Sequence, residues 1–212
     1  MKRACGVLLP ISSLPSPYGI GTFSKEAYEF VDYLSKAGQS YWQILPLGPT
    51  SYGDSPYQSL SAFAGNLYYI DLDKLVEEEL LSREEIEDIE WFENESYIDY
   101  GKLYDNREKL LKKAYTKFKS TLDKKALLKF KEETKTYCLY QAIKNEQEGK
   151  SWDLWEEELR CFDKEAVEKA KLRLEKEIEF FCWIQTVFNR QWYELKKYAN
   201  DNGIEIIGDM PI

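Results

Sequence analysis

The sequence has 212 residues, with 29 basic and 38 acidic side chains and a net charge of −9. That balance excludes a surface built for nucleic-acid phosphates, and the length suffices for one large or two small domains. With no histidine, Ser–His and Cys–His nucleophile pairs are excluded, which leaves carboxylates as proton carriers.

Lys2 and Arg3 precede an apolar run from Ala4 to Leu9, but Pro10, Pro15 and Pro17 break it at once. It is too short for a secretory leader, no stretch reads as a membrane span, and a cytoplasmic protein is expected. Cys5, Cys138, Cys161 and Cys182 are scattered without a C-x-x-C pair. They read as separate reduced thiols, with no metal site expected.

Gly6–Pro10 (GVLLP) is a short apolar run ending at proline, as expected of a strand buried on both faces. A Ser/Pro/Gly loop, ISSLPSPYGIG, follows. Ser24 is placed to cap a helix whose apolar face is Ala27, Phe30, Val31, Leu34 and Ala37, ended by Gly38. Tyr41–Leu47 reads as a second buried strand, so the order is βαβ with parallel strands.

The loop LGPTSYGDSPYQSLSAFAGN, Leu47 to Asn66, holds almost no charge yet carries Tyr52, Tyr57 and Phe63. NLYYIDLDKL reads as a short strand or extended arm. Residues 76–95 are strongly acidic and read as a solvated helix face or loop. A helical pattern runs from Tyr104 to about Glu148, with a break expected near Ser120–Asp123. Trp152 and Trp155 fall in a less regular segment.

From about Asp163 to Asn200, apolar residues recur at three- or four-residue steps: Val167, Ala170, Leu174, Ile178, Phe181, Ile184, Phe188, Trp192, Leu195 and Ala199. This predicts one long helix, its first half projecting and its second half packed, with Trp183 and Trp192 in the core. Asn202-Gly203 stops it, and IEIIGDMPI is a third strand. Three parallel strands cannot close, so the chain reads as the start of a longer α/β fold.

In parallel α/β folds ligands bind at the carboxyl ends of the strands. Here those ends carry small polar residues and tyrosines rather than charges. That suits a neutral, hydroxyl-rich ligand such as a sugar, whose C–H face stacks on rings while its hydroxyls take fixed partners. No G-x-G-x-x-G, Walker lysine or loop arginine favours a phosphate. Tyr52, Tyr57 and Asp209 read as contacts to such a ligand. Asp54 reads equally well as a contact or as a turn residue bonding its own backbone.

GVLLPISSLPSPYGIG, YWQILPLGPTSYGDSPYQSLSAFAGN and IIGDMPI resemble the amino-terminal motifs of the 4-α-glucanotransferases called amylomaltases or disproportionating enzymes. The resemblance implies a (β/α)8 TIM barrel, of which this chain supplies the first three strands. Residues 1–47 would hold strands one and two, 48–163 a mostly helical insertion, and 164–212 a long helix and the third strand. It also implies transfer of α-1,4-glucan segments between maltooligosaccharides, amylose or starch- and glycogen-derived glucans, with glucose as a product and no cofactor.

By the same resemblance, Tyr57 and Ser55 would line the sugar subsites beside the cleaved bond. Asp209 would contact the sugar without being the nucleophile, and Tyr52 with Tyr104 would form a second glucan groove. Retention of configuration needs an Asp nucleophile and a Glu acid/base about 5–5.5 Å apart. The resemblance puts both on later strands, so these 212 residues alone are expected to be inactive. Two competing readings are a non-catalytic glucan-binding protein and a protein-interaction module in the acidic helical segment.

Overall fold

The computed structural model describes residues 3–51, 53–121 and 132–210. Three short strands, β1 (Gly6–Leu8), β2 (Tyr41–Gln43) and β3 (Glu205–Ile207), form a parallel sheet in that order. Helix α1 (Lys25–Lys36) links β1 to β2. Between β2 and β3 come α2 (Leu72–Glu77), α3 (Arg83–Glu87), α4 (Tyr100–Thr121), α5 (Glu132–Glu146), α6 (Glu157–Arg160), α7 (Lys164–Arg173) and α8 (Glu175–Asp201).

The chain divides into two compact units. One comprises residues 1–122 and 187–212, the other residues 123–186. The expected break near Ser120–Asp123 falls partly outside the described residues.

The first unit is built on the sheet. Trp42 is fully buried on β2, edge-on to Phe30 of α1, and its indole N–H donates to the Leu9 carbonyl at 2.8 Å. Phe23 collects Phe188, Trp192 and Tyr69 at centroid separations of 5.2, 5.6 and 5.9 Å. Rings of this size dominate a core because each removes a large apolar area from water.

The strands are not buried on both faces. The Leu8–Gln43–Ile207 row points away from Trp42, leaving Leu8 55% and Ile207 42% exposed. Phe30 packs on the Trp42 face.

Helix α4 presents Leu103, Leu110, Leu111 and Ala114 inward at helical spacing. The acidic stretch is solvated as expected, its acidic side chains all exposed except Glu85, which is half-buried. Ser82 and Glu85 form a capping box at α3, which satisfies free helix N–H groups. Glu85 also faces Lys113 and Lys117 of α4 at 3.6 and 3.4 Å.

Ser24 does sit at the N-cap of α1, but its hydroxyl donates to Glu26 instead of accepting from the helix. The segment read as a strand or arm is instead a 3-10 turn at Leu67–Tyr69 followed by α2. Asn66 and Asp71 cap them by accepting from the Tyr68 and Asp73 N–H groups. Side-chain capping of this kind outcompetes extended pairing.

The second unit is a small helical core of Leu139, Ile143, Trp155, Leu159, Val167 and Ala170. Trp155 is buried there and donates to the Lys150 carbonyl, whereas Trp152 is 54% exposed. Arg173 clamps Glu146 through two 2.7 Å bonds.

The single long helix expected over 163–200 is two helices. Leu174 leaves helical geometry at φ −102°, ψ 14° between α7 and α8. The apolar stripe runs unbroken through this bend because Leu174 and Ile178 both pack on the same core. Gly203 ends α8 at φ +78°, a conformation other L residues avoid.

Candidate functional site

At the carboxyl ends of the strands the ladder runs one bond further: Leu9 N–H donates to Gln43, and Ile44 N–H to Ile207. The chain then leaves the sheet in the three loops that the sequence singled out.

The long loop after β2 is tied to itself. Thr50 bridges Ser59, the Leu60 N–H donates to Pro49, and the Asn66 N–H donates to Leu47. The Ser59 hydroxyl sits between the Pro49 and Ser61 carbonyls at 3.1 and 2.8 Å, and the Ser61 hydroxyl accepts from Phe63 and Ala64. Small polar side chains here replace the bonds a regular element would supply. Gly65 is obligatory for a packing reason, since a Cβ would lie 2.2 Å from the Phe188 ring.

This loop and the end of β3 meet in one bond. The Tyr57 hydroxyl donates to Asp209 Oδ2 at 2.7 Å, across 152 residues of sequence. The other carboxylate oxygen accepts from the Met210 N–H at 2.8 Å. The bond to Asp209 raises the Tyr57 phenol above its ordinary range, because ionising it would place two anions together. Ser55 supports Tyr57 from below, its hydroxyl accepting the Tyr57 N–H at 3.3 Å. Tyr57 remains 44% exposed, with Met210 and Phe63 exposed as well. The arrangement offers a solvent-facing ring and a charged acceptor held in place.

Asp54 adopts φ +56°, and its N–H donates to Ser51, so it does form a turn. Partial burial raises its carboxyl. Its charge in turn acts on Tyr68 and Tyr100, which the sequence reading did not single out. Burial first, then Asp54 and Tyr104, push the Tyr68 phenol up to about 12. Tyr68 and Tyr100 tilt together at 6.4 Å, and Tyr104, 73% exposed, follows Tyr100 by one turn of α4. The signal for this cluster was the four-residue spacing of Tyr100 and Tyr104, which share a helix face. Tyr52 lies outside the described residues.

Beneath the cluster lies Arg107, fully buried and also unforeseen. One guanidinium nitrogen donates to the Tyr68 carbonyl at 2.9 Å, and the group stacks 5.4 Å above Trp91. Burial lowers its pKa to about 10 against the opposing pull of Asp71. Burial likewise raises Asp71 to about 6, although its N-cap bond to Asp73 and the charge of Arg107 oppose this.

Among the described residues no three or more Cys, Asp or Glu side chains gather to hold a metal ion, and no helix is long and apolar enough to cross a membrane.

Residues 9–212 match the family model described as 4-alpha-glucanotransferase. The chain is 48% identical over 206 residues to the 4-alpha-glucanotransferase of Clostridium butyricum, covering 95% of this chain and 42% of that protein. It is 43% identical to the 4-alpha-glucanotransferase of Thermus thermophilus, covering 100% of this chain and 43% of that one. The fold superposes on an amylomaltase from Streptococcus agalactiae in complex with acarbose at a TM-score of 0.94 and 41% identity, across 99% of this chain and 43% of that structure. The chain thus spans less than half the length of these relatives. With the family model covering nearly every residue and the strand-end loops in their expected places, the chain belongs to the 4-alpha-glucanotransferase family.

Proposed function

We propose that the protein carrying this chain transfers α-1,4-glucan segments between maltooligosaccharides, and that these residues supply part of its sugar-binding surface. The observation that carries this is the Tyr57–Asp209 hydrogen bond, which fixes an exposed ring and a carboxylate at the ends of two neighbouring strands. A pyranose presents an apolar face to such a ring and hydroxyl donors to such a carboxylate. The acarbose held by the Streptococcus agalactiae amylomaltase supports a ligand of this class.

In this reading the parallel sheet begins a (β/α)8 barrel. Residues 48–163 are an insertion that carries the loop of Ser55 and Tyr57. Asp209 orients the sugar. Its carboxylate, shared by the Tyr57 hydroxyl and the Met210 N–H, is arranged as a hydrogen-bond acceptor. The two carboxylates of a retaining double displacement are assigned to residues outside this chain. Asp54 and Tyr104, framed by Tyr68 and Tyr100, belong to glucan contacts further along the bound chain, and Tyr52 is assigned to the same second groove.

The test is disproportionation of maltotriose by the full-length protein, following glucose release. Tyr57→Ala removes ring and hydroxyl together and should cut kcat/KM on the order of 100-fold, the scale of losing an oriented donor at a reacting centre. Tyr57→Phe should fall between it and the parent. Parent-like kinetics in Tyr57→Ala would overturn the assignment.

A further inference from the structure

The long loop after β2 is held at two levels. Its base closes where the Asn66 N–H donates to the Leu47 carbonyl at 2.9 Å. Further out, the outgoing and returning legs meet at Ser59, which bridges Thr50, while the neighbouring Leu60 N–H donates to Pro49 at 3.2 Å. Beyond that point lies the tip, which carries Ser55 and Tyr57. Turns bind the tip to itself: the Asp54 N–H donates to Ser51 at 3.0 Å and the Gln58 N–H to Ser55 at 3.1 Å.

Ser59 does more than bond its own stretch of backbone. Its hydroxyl accepts the Ser61 N–H at 3.3 Å, the local bond that serine commonly makes two residues on. The single proton of the same hydroxyl lies between two carbonyls, Ser61 at 2.8 Å and Pro49 at 3.1 Å. Pro49 is ten residues back, on the opposite leg. Gly48 makes this approach possible, because a Cβ there would stand 2.3 Å from the Ser59 oxygen. The half-buried hydroxyl thus fills the space that a side chain at position 48 would take.

We propose that Ser59 is a positioning residue for glucan transfer, its hydroxyl latching the two legs of the loop and so holding Tyr57 where it meets Asp209.

This role depends on Tyr57 contacting the sugar, as read above. Tyr57 stands two residues before the latch with its ring 44% exposed, so the ring is placed by the backbone that carries it and by the 2.7 Å bond to Asp209. The bond to Asp209 faces solvent and is free to be exchanged for a sugar hydroxyl. The latch lies wholly within the loop and stays when the ligand arrives. Without the Ser59 hydroxyl, the Ser61 N–H and carbonyl lose the partner they share, and Pro49 loses one of its two donors. The legs can then part, and the tip carries Tyr57 with it. Contacts beside a reacting centre are sensitive to such movement, since a shift of about 1 Å costs on the order of 100-fold in rate.

The experiment is a double-mutant cycle in the full-length protein, read by maltotriose disproportionation. Ser59→Ala should lower kcat/KM on the order of 10-fold, while the urea midpoint stays near the parent's. In the Tyr57→Ala background the same substitution should cost less than about 2-fold, because no ring remains to be misplaced. Gly48→Ala should reproduce the loss, since its Cβ displaces the Ser59 oxygen, and should add little to Ser59→Ala. Parent-like kinetics in Ser59→Ala would overturn the proposal. An equal loss in both backgrounds would overturn it as well, by showing that the latch does not act through Tyr57. Parent-like kinetics in Tyr57→Ala would instead remove the sugar contact on which the latch depends, so the two failures are told apart by which single variant is silent. Should Ser59→Ala fail to fold, Gly48→Ala runs the same cycle against Tyr57→Ala.

Discussion

Two pairs of residues in the first unit join distant parts of the chain, and they differ in where they do it. Tyr57 and Asp209 meet in solvent at the open ends of β2 and β3, leaving a ring and a carboxylate facing outward. Asp71 and Arg107 interact in the interior, where Asp71 caps α2 and Arg107 binds the Tyr68 carbonyl beneath the α4 tyrosines. A solvent-facing pair gains little from its own attraction and is free to exchange it for a ligand. A buried pair cannot do this, because removing either partner strands the other in a medium that penalises charge. The contrast assigns recognition to the first pair and architecture to the second.

The sharpest way to break that division is Arg107→Ala. It removes the guanidinium from its place over Trp91 and leaves the Asp71 carboxylate without its opposing charge. A loss of about 3–5 kcal/mol in unfolding free energy is expected, read by urea denaturation, with kcat per folded molecule retained. Arg107→Met should lose much less, because two of the guanidinium nitrogens have no hydrogen-bond partner even in the parent and an apolar chain refills the volume. Tyr57→Ala should do the opposite. Transfer falls on the order of 100-fold while the denaturation midpoint stays near the parent's. A variant of either pair that moved both readouts equally would erase the distinction.

How much of this was legible in the sequence follows from the range of the forces involved. The parallel strands, α1 and the strand-end loops could be read because apolar runs and Ser/Gly/Pro clusters are local signals. The turn at Leu67 and helix α2 were legible in principle from Asn66 and Asp71, whose capping bonds span only two residues. Arg107 was visible too, as the one cation on the α4 face shared with Leu103, Leu110, Leu111 and Ala114. The bend at Leu174 was not, since Leu174 and Ile178 keep the stripe in register through it. The Tyr57–Asp209 bond leaves no trace in a local pattern, because tertiary packing makes it across 152 residues.

The interior pair also has a pH signature near the acidic end of the scale. Asp71 rises from 3.8 to about 6 on folding, chiefly through burial, so the folded state holds its proton more tightly than the unfolded state. Stability from this group is therefore fully present below about pH 4 and is lost as pH rises through about 6. The difference between parent and Asp71→Asn unfolding free energies should fall by about 3 kcal/mol across that window and then level off. Asparagine keeps the capping oxygen and cannot titrate, so a flat difference would show that Asp71 is not held protonated by its surroundings.

The smallest effect expected is that of Tyr104, and it tests whether recognition in this chain extends beyond the strand ends. Tyr104 is more exposed than Tyr57, and its ring lies on α4 beside Tyr68 and Tyr100 rather than at the sheet. A stacked sugar there would gain about 0.5–1.5 kcal/mol, enough to matter for a long glucan that reaches both places and irrelevant to one that does not. Tyr104→Ala should therefore weaken amylose binding about 3–10-fold and leave maltotriose disproportionation unchanged. Equal losses on both substrates would merge the two tyrosine positions into one site. No loss on either would confine recognition to Tyr57 and Asp209, leaving the α4 tyrosines as the cover over Arg107.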